Sequence, residues 1–142
     1  MAADRAEHVA RVVEPALSAG RWVVGDRYAA STLAYQGHGR GMDLEELARL
    51  THFAAGGLEP DLQILLDLPV EAARARSTGT KDRIEHLGDD FFRRVRQGYL
   101  SLAGADPEHW VVIDSEADAG TVGALVLGAV TERLGRPADQ CR

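Results

Sequence analysis

Three short apolar runs without regular polar alternation constrain the fold of this chain more than any other feature. They are Trp22 to Gly25, Leu62 to Leu68 and Trp110 to Asp114. Helical patterns separate the runs, and strands that are buried on both faces read as continuous apolar segments. We therefore predict an α/β fold in which a parallel sheet is covered by flanking helices.

Apolar residues at a spacing of three to four predict helices around these strands. Pro15 is expected to kink the first helix, because proline lacks the backbone N–H donor. Asp43 is expected to cap the third helix, and Gly135 to end the last one. The predicted helices cover Ala2 to Ala19, Ala30 to Gln36, Asp43 to Phe53, Val70 to Arg76, a longer stretch from Asp89 or Asp90 to Leu102, and about Asp118 to Leu134.

Length and composition exclude several classes of protein. At 142 residues the chain reads as a single domain over residues 1–136 with a tail at 137–142. Its net charge of −6 argues against non-specific nucleic-acid binding, which needs a basic surface. No apolar stretch approaches the ~20 residues of a membrane span, so no membrane partner is expected. A single cysteine, Cys141, favours a reducing, cytoplasmic setting.

An acid and a base, Asp26 and Arg27, lie at the carboxyl end of the first predicted strand. Ligands of open α/β sheets bind beyond the carboxyl ends of parallel strands. A carboxylate there can orient water bound to Mg²⁺, and a guanidinium can hold a phosphate through two parallel hydrogen bonds. The alternative is an ordinary surface ion pair.

Hydroxyl, aromatic and amide side chains follow directly, at Ser31, Thr32, Tyr35 and Gln36. In a helix Ser31 and Tyr35 share a face, as do Thr32 and Gln36, because residues four apart are neighbours. Such a group could bind the edge of a base and place an aromatic wall against a sugar. The alternative is a solvated helix start, where Ser and Thr are favoured as caps.

A cationic segment runs from Arg74 to Glu85 and contains Arg76 and Arg83. Phosphoryl transfer is catalysed mainly by positioning and by cations that stabilise the equatorial oxygens, so a mobile arginine-bearing lid is one interpretation. A solvated charge run between two helices is the other. The glycine run from Gly37 to Gly41 is not interpreted as a phosphate loop, because it follows a helix rather than a strand.

These motifs, in this order, resemble the thymidylate kinases, a family of nucleoside-monophosphate kinases. The likeness spans about Ala2 to Leu134. The matching segments are Ala2-Ala3-Asp4-Arg5-Ala6-Glu7-His8, Asp26-Arg27-Tyr28, Ser31-Thr32-Leu33-Ala34-Tyr35-Gln36-Gly37, Gly39-Arg40-Gly41, Pro60-Asp61-Leu62, Leu65-Leu66-Asp67, Asp82-Arg83-Ile84-Glu85 and Tyr99-Leu100.

The resemblance implies transfer of the γ-phosphate of ATP to dTMP, giving dTDP for dTTP biosynthesis, with Mg²⁺ as the metal. It also implies a P-loop NTPase-like fold and the family's usual homodimer. By the same resemblance, the thymine base is bound by Arg5, which reads its edge, and by Ser31 and Thr32, which face it. Arg27 holds the dTMP phosphate, Tyr35 faces the deoxyribose, and Gln36 borders the pocket. Asp26 is implied to lie near the metal through water, and the catalytic lid cations are Arg74, Arg76 and Arg83.

The chain departs from the family pattern at its front. Its one lysine, Lys81, lies between Thr80 and Asp82, so the sequence contains no Gly-x-x-Gly-x-Gly-Lys-Thr/Ser loop for the ATP phosphates. We therefore expect an incomplete, N-terminally truncated fold that lacks the central strand and this loop, with little activity of the chain alone. We expect that the chain is either a poorly stable fragment or one whose true start lies upstream. The alternatives are a non-catalytic module that binds a nucleoside monophosphate or a partner, and an α/β domain for another small anion.

Overall fold

The computed structural model describes residues 2–76 and 88–135. All structural statements below refer to these residues. Arg83, predicted to be a lid cation, lies outside the described residues, as do Lys81 and Cys141.

Two of the helices contain π-helical sections. Helix α1 (residues 2–18) runs through Ala2–His8, the π-helical Val9–Val13 and Glu14–Ser18, and helix α2 (residues 29–39) joins Ala29–Thr32 to the π-helical Leu33–Gly39. The π section of α1 ends two residues before Pro15, whose ring cannot donate to the preceding turn. A disturbance at Pro15 was predicted from the sequence, whereas the π section of α2 was not.

The remaining helices agree with the predicted periodicity. Asp43 caps α3 as predicted, because its side chain accepts a hydrogen bond from the Glu46 N–H. The last helix begins after Asp118, whose carboxylate accepts from the N–H groups of Gly120 and Thr121. These helices are α3 (Leu44–Ala54), α4 (Val70–Arg76), α5 (Asp89–Ala105) and α6 (Ala119–Leu134).

The described strands form a two-stranded parallel sheet of β1 (Gln63–Asp67) and β2 (Trp110–Asp114). The register pairs Gln63 with Trp110 and Asp67 with Asp114. Helices α4 and α5 connect the two strands, as a parallel crossover requires. The predicted second and third strands and the parallel α/β class are thus confirmed.

The prediction of a strand from Trp22 to Gly25 is wrong. Residues 21–25 form no strand and pair with no strand in the described part of the chain. Val24 is 92% exposed, so the run is not buried as its composition suggested. A strand is defined by hydrogen bonds to a neighbour, and apolar residues alone do not supply one.

The core between α2 and α5 is built on close backbone approach. Ala34, fully buried, packs with Phe91 and Val95, and Tyr35 and Tyr99 pack against this cluster. A Cβ atom at Gly39 would lie 2.6 Å from Cε2 of Phe91, so glycine is what allows the two helices to meet. This packing fixes α2, which carries the polar side chains singled out above.

The described residues do not cover the sheet on both faces, contrary to expectation. Leu66 of β1 is 51% exposed and Val112 of β2 is 46% exposed. Helix α6 contributes no buried residue. None of the described helices is long and apolar enough to cross a membrane.

Candidate functional site

A cavity of about 420 Å³ lies between α1, α2 and the turn at residues 26–28. It has the size of a small-molecule pocket, which is typically ~300–1,000 Å³. Most of the predicted ligand-binding residues meet here, although α1 and α2 are separate in sequence. The cavity is lined by Asp4, Arg5, His8, Arg27, Tyr28, Ser31, Tyr35 and Gln36.

Arg5 reaches this cavity from α1 and is held by α2. Its Nη2 donates to Thr32 Oγ1 at 3.0 Å and to the Tyr28 carbonyl at 3.3 Å. The guanidinium also lies over the Tyr28 ring, 5.5 Å from its centroid. Thr32 is 8% exposed and does not line the cavity, so its observed contact is with Arg5.

Arg27 has an unusual backbone conformation, with φ at +66°. A side chain in this left-handed region costs on the order of 1–3 kcal/mol, and such strain concentrates at functional sites. The guanidinium lies 5.2 Å from the centroid of the Tyr35 ring, and Nη2 makes a long hydrogen bond of 3.4 Å to the Tyr35 hydroxyl. The strained turn therefore places an exposed cation at the rim of the cavity.

Ser31 is joined to a residue that the sequence did not assign to the site. Its hydroxyl lies 2.8 Å from the Tyr99 hydroxyl of α5. The Tyr99 ring meets the Tyr35 ring edge-on, with centroids 6.4 Å apart. Burial raises the pKa of Tyr99 above its ordinary value, so its phenol stays protonated at neutral pH. The cavity wall is therefore supported from behind by aromatic packing.

Gln36 presents an acceptor without a partner. Its Oε1 atom is buried and has no hydrogen bond in the described part of the chain. Buried polar atoms are nearly always hydrogen-bonded, and exceptions call for an explanation. Because Gln36 lines the cavity, a ligand that donates to this oxygen would satisfy it.

Asp26 is exposed, and no hydrogen bond or ion pair engages its carboxylate within residues 2–76 and 88–135. Among the same residues, no group of three or more His, Cys, Asp or Glu side chains could hold a metal ion. Mg²⁺ in phosphoryl-transfer sites is bound by one or two carboxylates together with water and substrate phosphates. A single free carboxylate fits that kind of site, and does not fit an all-protein metal cage.

The described lid arginines are engaged away from the cavity. Arg74 forms an ion pair with Asp89 at the start of α5. Arg76 donates from Nη1 to the Ser115 carbonyl at 2.7 Å and also binds the Glu116 carbonyl, just beyond β2. Neither lines the cavity. Their catalytic roles stay predictions, as does that of Arg83.

Sequence reasoning gave no role to Asp4, His8, Tyr28 and Tyr99, four residues of the site or its support. Asp4 and His8 are four apart and flank Arg5 on one face of α1, so helical spacing could have found them. Tyr28 follows Arg27 directly, and its hydroxyl donates to the Leu58 carbonyl at 3.1 Å. Tyr99 lies 68 residues from Ser31, and no local pattern signals that contact.

Known proteins are similar in sequence to this chain. The family model described as thymidylate kinase matches residues 1–125. The thymidylate kinase of Desulforudis audaxviator (strain MP104C) is 49% identical over 134 residues, covering 94% of this chain and 61% of that protein. The thymidylate kinase of Synechococcus sp. (strain JA-2-3B'a(2-13)) is 50% identical over 133 residues, covering 94% of this chain and 64% of that protein.

A third relative, the thymidylate kinase of Neisseria meningitidis serogroup B (strain ATCC BAA-335 / MC58), is 49% identical over 124 residues, covering 86% of this chain and 60% of that protein. The chain thus spans about three fifths of the length of the curated relatives it matches. The family match covers most of the chain, and the residues that carried the resemblance lie within it. The chain therefore belongs to the thymidylate kinase family.

Proposed function

We propose that this chain binds dTMP in the cavity between α1 and α2, as the phosphate-acceptor site of a thymidylate kinase. The observation that carries the proposal is the convergence of Arg5, Arg27, Ser31 and Tyr35 on one cavity. These residues come from two helices and a strained turn, and they combine two cations with an aromatic wall. A nucleoside monophosphate offers an anion, a sugar and a base edge, which matches that combination.

The phosphate end of the ligand is assigned to Arg27. Its guanidinium is exposed, and its backbone has a φ of +66°. Arginine presents planar donors that match phosphate oxygens in pairs. Tyr35, held against Arg27 and Tyr99, would then lie against the deoxyribose and leave no room for a 2′-hydroxyl.

The base end is assigned to Arg5, Ser31 and Gln36. Arg5 is fixed by Thr32 and Tyr28, so its remaining donors are oriented before the ligand enters. Ser31 and Gln36 line the same cavity, and Gln36 supplies the free acceptor. Thymine carries two carbonyl oxygens and one ring N–H on its pairing edge, and these groups call for both donors and an acceptor.

The reaction proposed for the family site is transfer of the ATP γ-phosphate to dTMP, giving dTDP for dTTP biosynthesis. Mg²⁺, when bound between the phosphates, would neutralise charge on the transferring group. Asp26 would hold that ion through water. Arg74, Arg76 and Arg83 remain the proposed lid cations, and the first two would have to leave their observed partners to act.

The 142 residues contain no Gly-Lys-Thr/Ser phosphate loop, so the proposal assigns none of them to the ATP phosphates. We expect negligible phosphate transfer by this chain alone. The competing function is a non-catalytic module that binds the monophosphate without turning it over. A coupled assay with dTMP and Mg-ATP separates the two, because ordinary turnover would contradict our expectation.

The homodimer expected from the family is part of the proposal. Val12 of α1 is 51% exposed and Phe53 of α3 is 84% exposed, and both helices present these apolar side chains to solvent. Large exposed apolar surface often marks an interface. Sedimentation of the wild-type chain and of a Phe53→Glu variant would test it, since the dimer should be lost in the variant.

Calorimetric titration with dTMP tests the central claim. Arg27→Ala should weaken dTMP binding by about tenfold or more, because a charge-assisted hydrogen bond contributes ~1.5–3 kcal/mol. Arg21→Ala is the matched control, since Arg21 is exposed, lies six residues earlier and does not line the cavity. Equal dTMP affinity in the wild type and Arg27→Ala would overturn the assignment.

A further inference from the structure

The hydroxyl pair of Ser31 and Tyr99 is the polar contact that the proposed function leaves unexplained. The two oxygens lie 2.8 Å apart. Ser31 lines the cavity, and Tyr99 stands behind it on α5. Neither hydroxyl has another hydrogen bond in the described part of the chain. The two hydroxyl groups therefore bond to each other, and the question is which of the two oxygens donates.

Acidity favours donation by Tyr99. A phenol, with a pKa near 10, is a far stronger acid than an aliphatic alcohol and so the better donor. If Ser31 donated instead, the half-buried Tyr99 proton would have no partner, and an unsatisfied buried donor is costly. With Tyr99 donating, Ser31 accepts, and its own proton is free to point into the cavity.

If Tyr99 donates this hydrogen bond, the wall of the cavity presents hydrogen-bond donors to a ligand. Arg5 can only donate, and its hydrogen bonds to Thr32 and Tyr28 both come from Nη2, so the other guanidinium nitrogens can donate to a ligand. Ser31, once it accepts from Tyr99, also presents a donor to the ligand. Arg5 and Ser31 then supply donors for the carbonyl oxygens of the base, and Gln36 supplies the acceptor for its ring N–H. A base with an exocyclic amine in place of a carbonyl would set that amine against a donor, which disfavours it.

We propose that Tyr99 is a positioning residue that fixes Ser31 as a donor, and that it thereby makes the site prefer a thymine base over a cytosine base. The inference rests on the proposed function, because a base enters this cavity only if the chain binds a nucleoside monophosphate. It goes further by assigning part of the base preference to a residue outside the cavity.

Tyr99→Phe removes the hydroxyl and keeps the ring, so it tests the hydroxyl alone. The ring also packs edge-on against Tyr35 and borders the core of Ala34, Phe91 and Val95, and phenylalanine retains those contacts. The variant therefore removes the hydrogen bond to Ser31 with little change in packing. A freed Ser31 hydroxyl could rotate to accept from an amine as readily as it donates to a carbonyl.

The test is calorimetric titration of the 142-residue chain with dTMP and, separately, with dCMP. The wild type should prefer dTMP, and Tyr99→Phe should reduce that preference by about three- to tenfold, mainly through weaker dTMP binding. Ser31→Ala should reduce it similarly. Adding Tyr99→Phe to Ser31→Ala should change nothing further, because the two residues act through one hydrogen bond.

Thr51→Val provides the control for loss of a buried hydroxyl. Thr51 is 4% exposed, donates to the Leu47 carbonyl at 2.9 Å and does not line the cavity. The Thr51→Val variant should have a lower melting temperature and an unchanged ratio of dTMP to dCMP affinity. If Tyr99 contributes only to stability, Tyr99→Phe should likewise lower the melting temperature and leave the ratio of dTMP to dCMP affinity unchanged.

The outcomes are distinguishable. A wild type that does not bind dTMP overturns the proposed function. A wild type that prefers dTMP, with an unchanged ratio in Tyr99→Phe, overturns the role of Tyr99 and leaves the proposed function standing. Should Tyr99→Phe fail to fold, an unchanged ratio in Ser31→Ala overturns the inference by itself, since Tyr99 acts only through Ser31.

Discussion

A single residue, Arg27, combines a cation at the rim of the cavity with an unfavourable backbone conformation. Among the described residues it is the one non-glycine position with positive φ, at +66°. A Cβ atom in the left-handed region costs ~1–2 kcal/mol, so glycine would be the more stable choice there. The chain retains arginine and places its guanidinium over Tyr35 at the cavity rim. This conflict between stability and charge can be tested directly.

Arg27→Gly and Arg27→Ala should both weaken dTMP binding by about tenfold or more, because both remove the guanidinium. The glycine variant should nevertheless have the higher free energy of unfolding, by about 1 kcal/mol, since it alone relieves the backbone strain. Urea unfolding measures this difference. In the exposed middle of α3, Ala48→Gly should show the reverse order, with glycine ~0.5–1 kcal/mol less stable than alanine. A less stable Arg27→Gly would contradict the assignment of strain.

For single residues, the short-range spacing of the sequence predicted many of the side chains that line the cavity. Ser31 and Tyr35 line it together because four-residue spacing puts them on one face, even though π-helical turns replace α-helical ones after Thr32. Thr32, which was expected to face the base, accepts a hydrogen bond from Arg5, and its role at the base stays a prediction. Tyr99 could not be found, because its contact with Ser31 depends on how α5 packs against α2.

The contact between α2 and α5 depends on small residues at the crossing. A Cβ atom on Gly98 of α5 would lie 2.6 Å from the His38 ring of α2, and one on Gly39 would lie equally close to Phe91. The same two helices carry Ser31, Tyr35 and Tyr99. Any widening of the crossing would therefore loosen the Ser31–Tyr99 bond and the wall of the cavity.

Gly98→Ala should lower the free energy of unfolding by about 1–3 kcal/mol, because the added methyl group overpacks the crossing against His38. Gly104→Ala, on the same helix, should raise it by up to ~1 kcal/mol, since no atom lies within 4 Å of the added Cβ and alanine favours the helix. Thermal or urea unfolding measures both. Equal shifts in the two variants would show that the crossing tolerates the extra methyl group.

A second link between elements joins the end of β1 to α5. Arg96 donates from Nε to Asp67 Oδ1 at 2.7 Å and from Nη2 to Oδ2 at 2.8 Å. This hydrogen-bonded pair lowers the pKa of Asp67 below its ordinary value of 3.8. The native state therefore holds the charged carboxylate more tightly than the unfolded chain does.

Because the native pKa of Asp67 is depressed, its stabilising effect is present above pH 3.8 and is lost as the pH falls through the native value. Asp67→Asn should cost about 1 kcal/mol at pH 7, and the difference from wild type should shrink as the pH falls below 3.8. Urea titrations across this range measure it. Asp90→Asn is the control, because that carboxylate is 88% exposed and should contribute little. A cost for Asp67→Asn that is constant with pH would contradict the pair's role.

The elements differ in how far sequence predicts them. Trp110–Asp114 is a strand with the predicted bounds, since its apolar run is paired with β1 along its whole length. The run at Trp22 to Gly25 has similar residues and forms no strand, because strand formation depends on a partner that residue type does not encode. Helix bounds followed from caps such as Asp43, which act locally.

Across the whole molecule, the described residues leave unusual amounts of apolar surface in contact with water. Leu66 and Val112 on the sheet, Val24 in the unpaired run and Leu127 on α6 are between 46% and 92% exposed. Among the described strands β1 pairs only with β2, so its second edge offers unsatisfied backbone groups. Burial that ordinarily offsets the conformational entropy of folding is correspondingly reduced.

We therefore expect the 142-residue chain to unfold in a broad transition at low temperature and to bind the apolar dye ANS before it unfolds. Calorimetry and dye fluorescence measure the two effects. A variant carrying Val24→Thr, Leu66→Thr and Leu127→Gln should bind less dye without a lower melting temperature, because these side chains contribute little packing. Ala103→Ser is the control, because it leaves the exposed apolar residues intact. Ala103 is 4% exposed, so the added hydroxyl is buried and should lower the melting temperature without reducing dye binding. A sharp wild-type transition at high temperature would show that the exposed apolar surface costs the fold little.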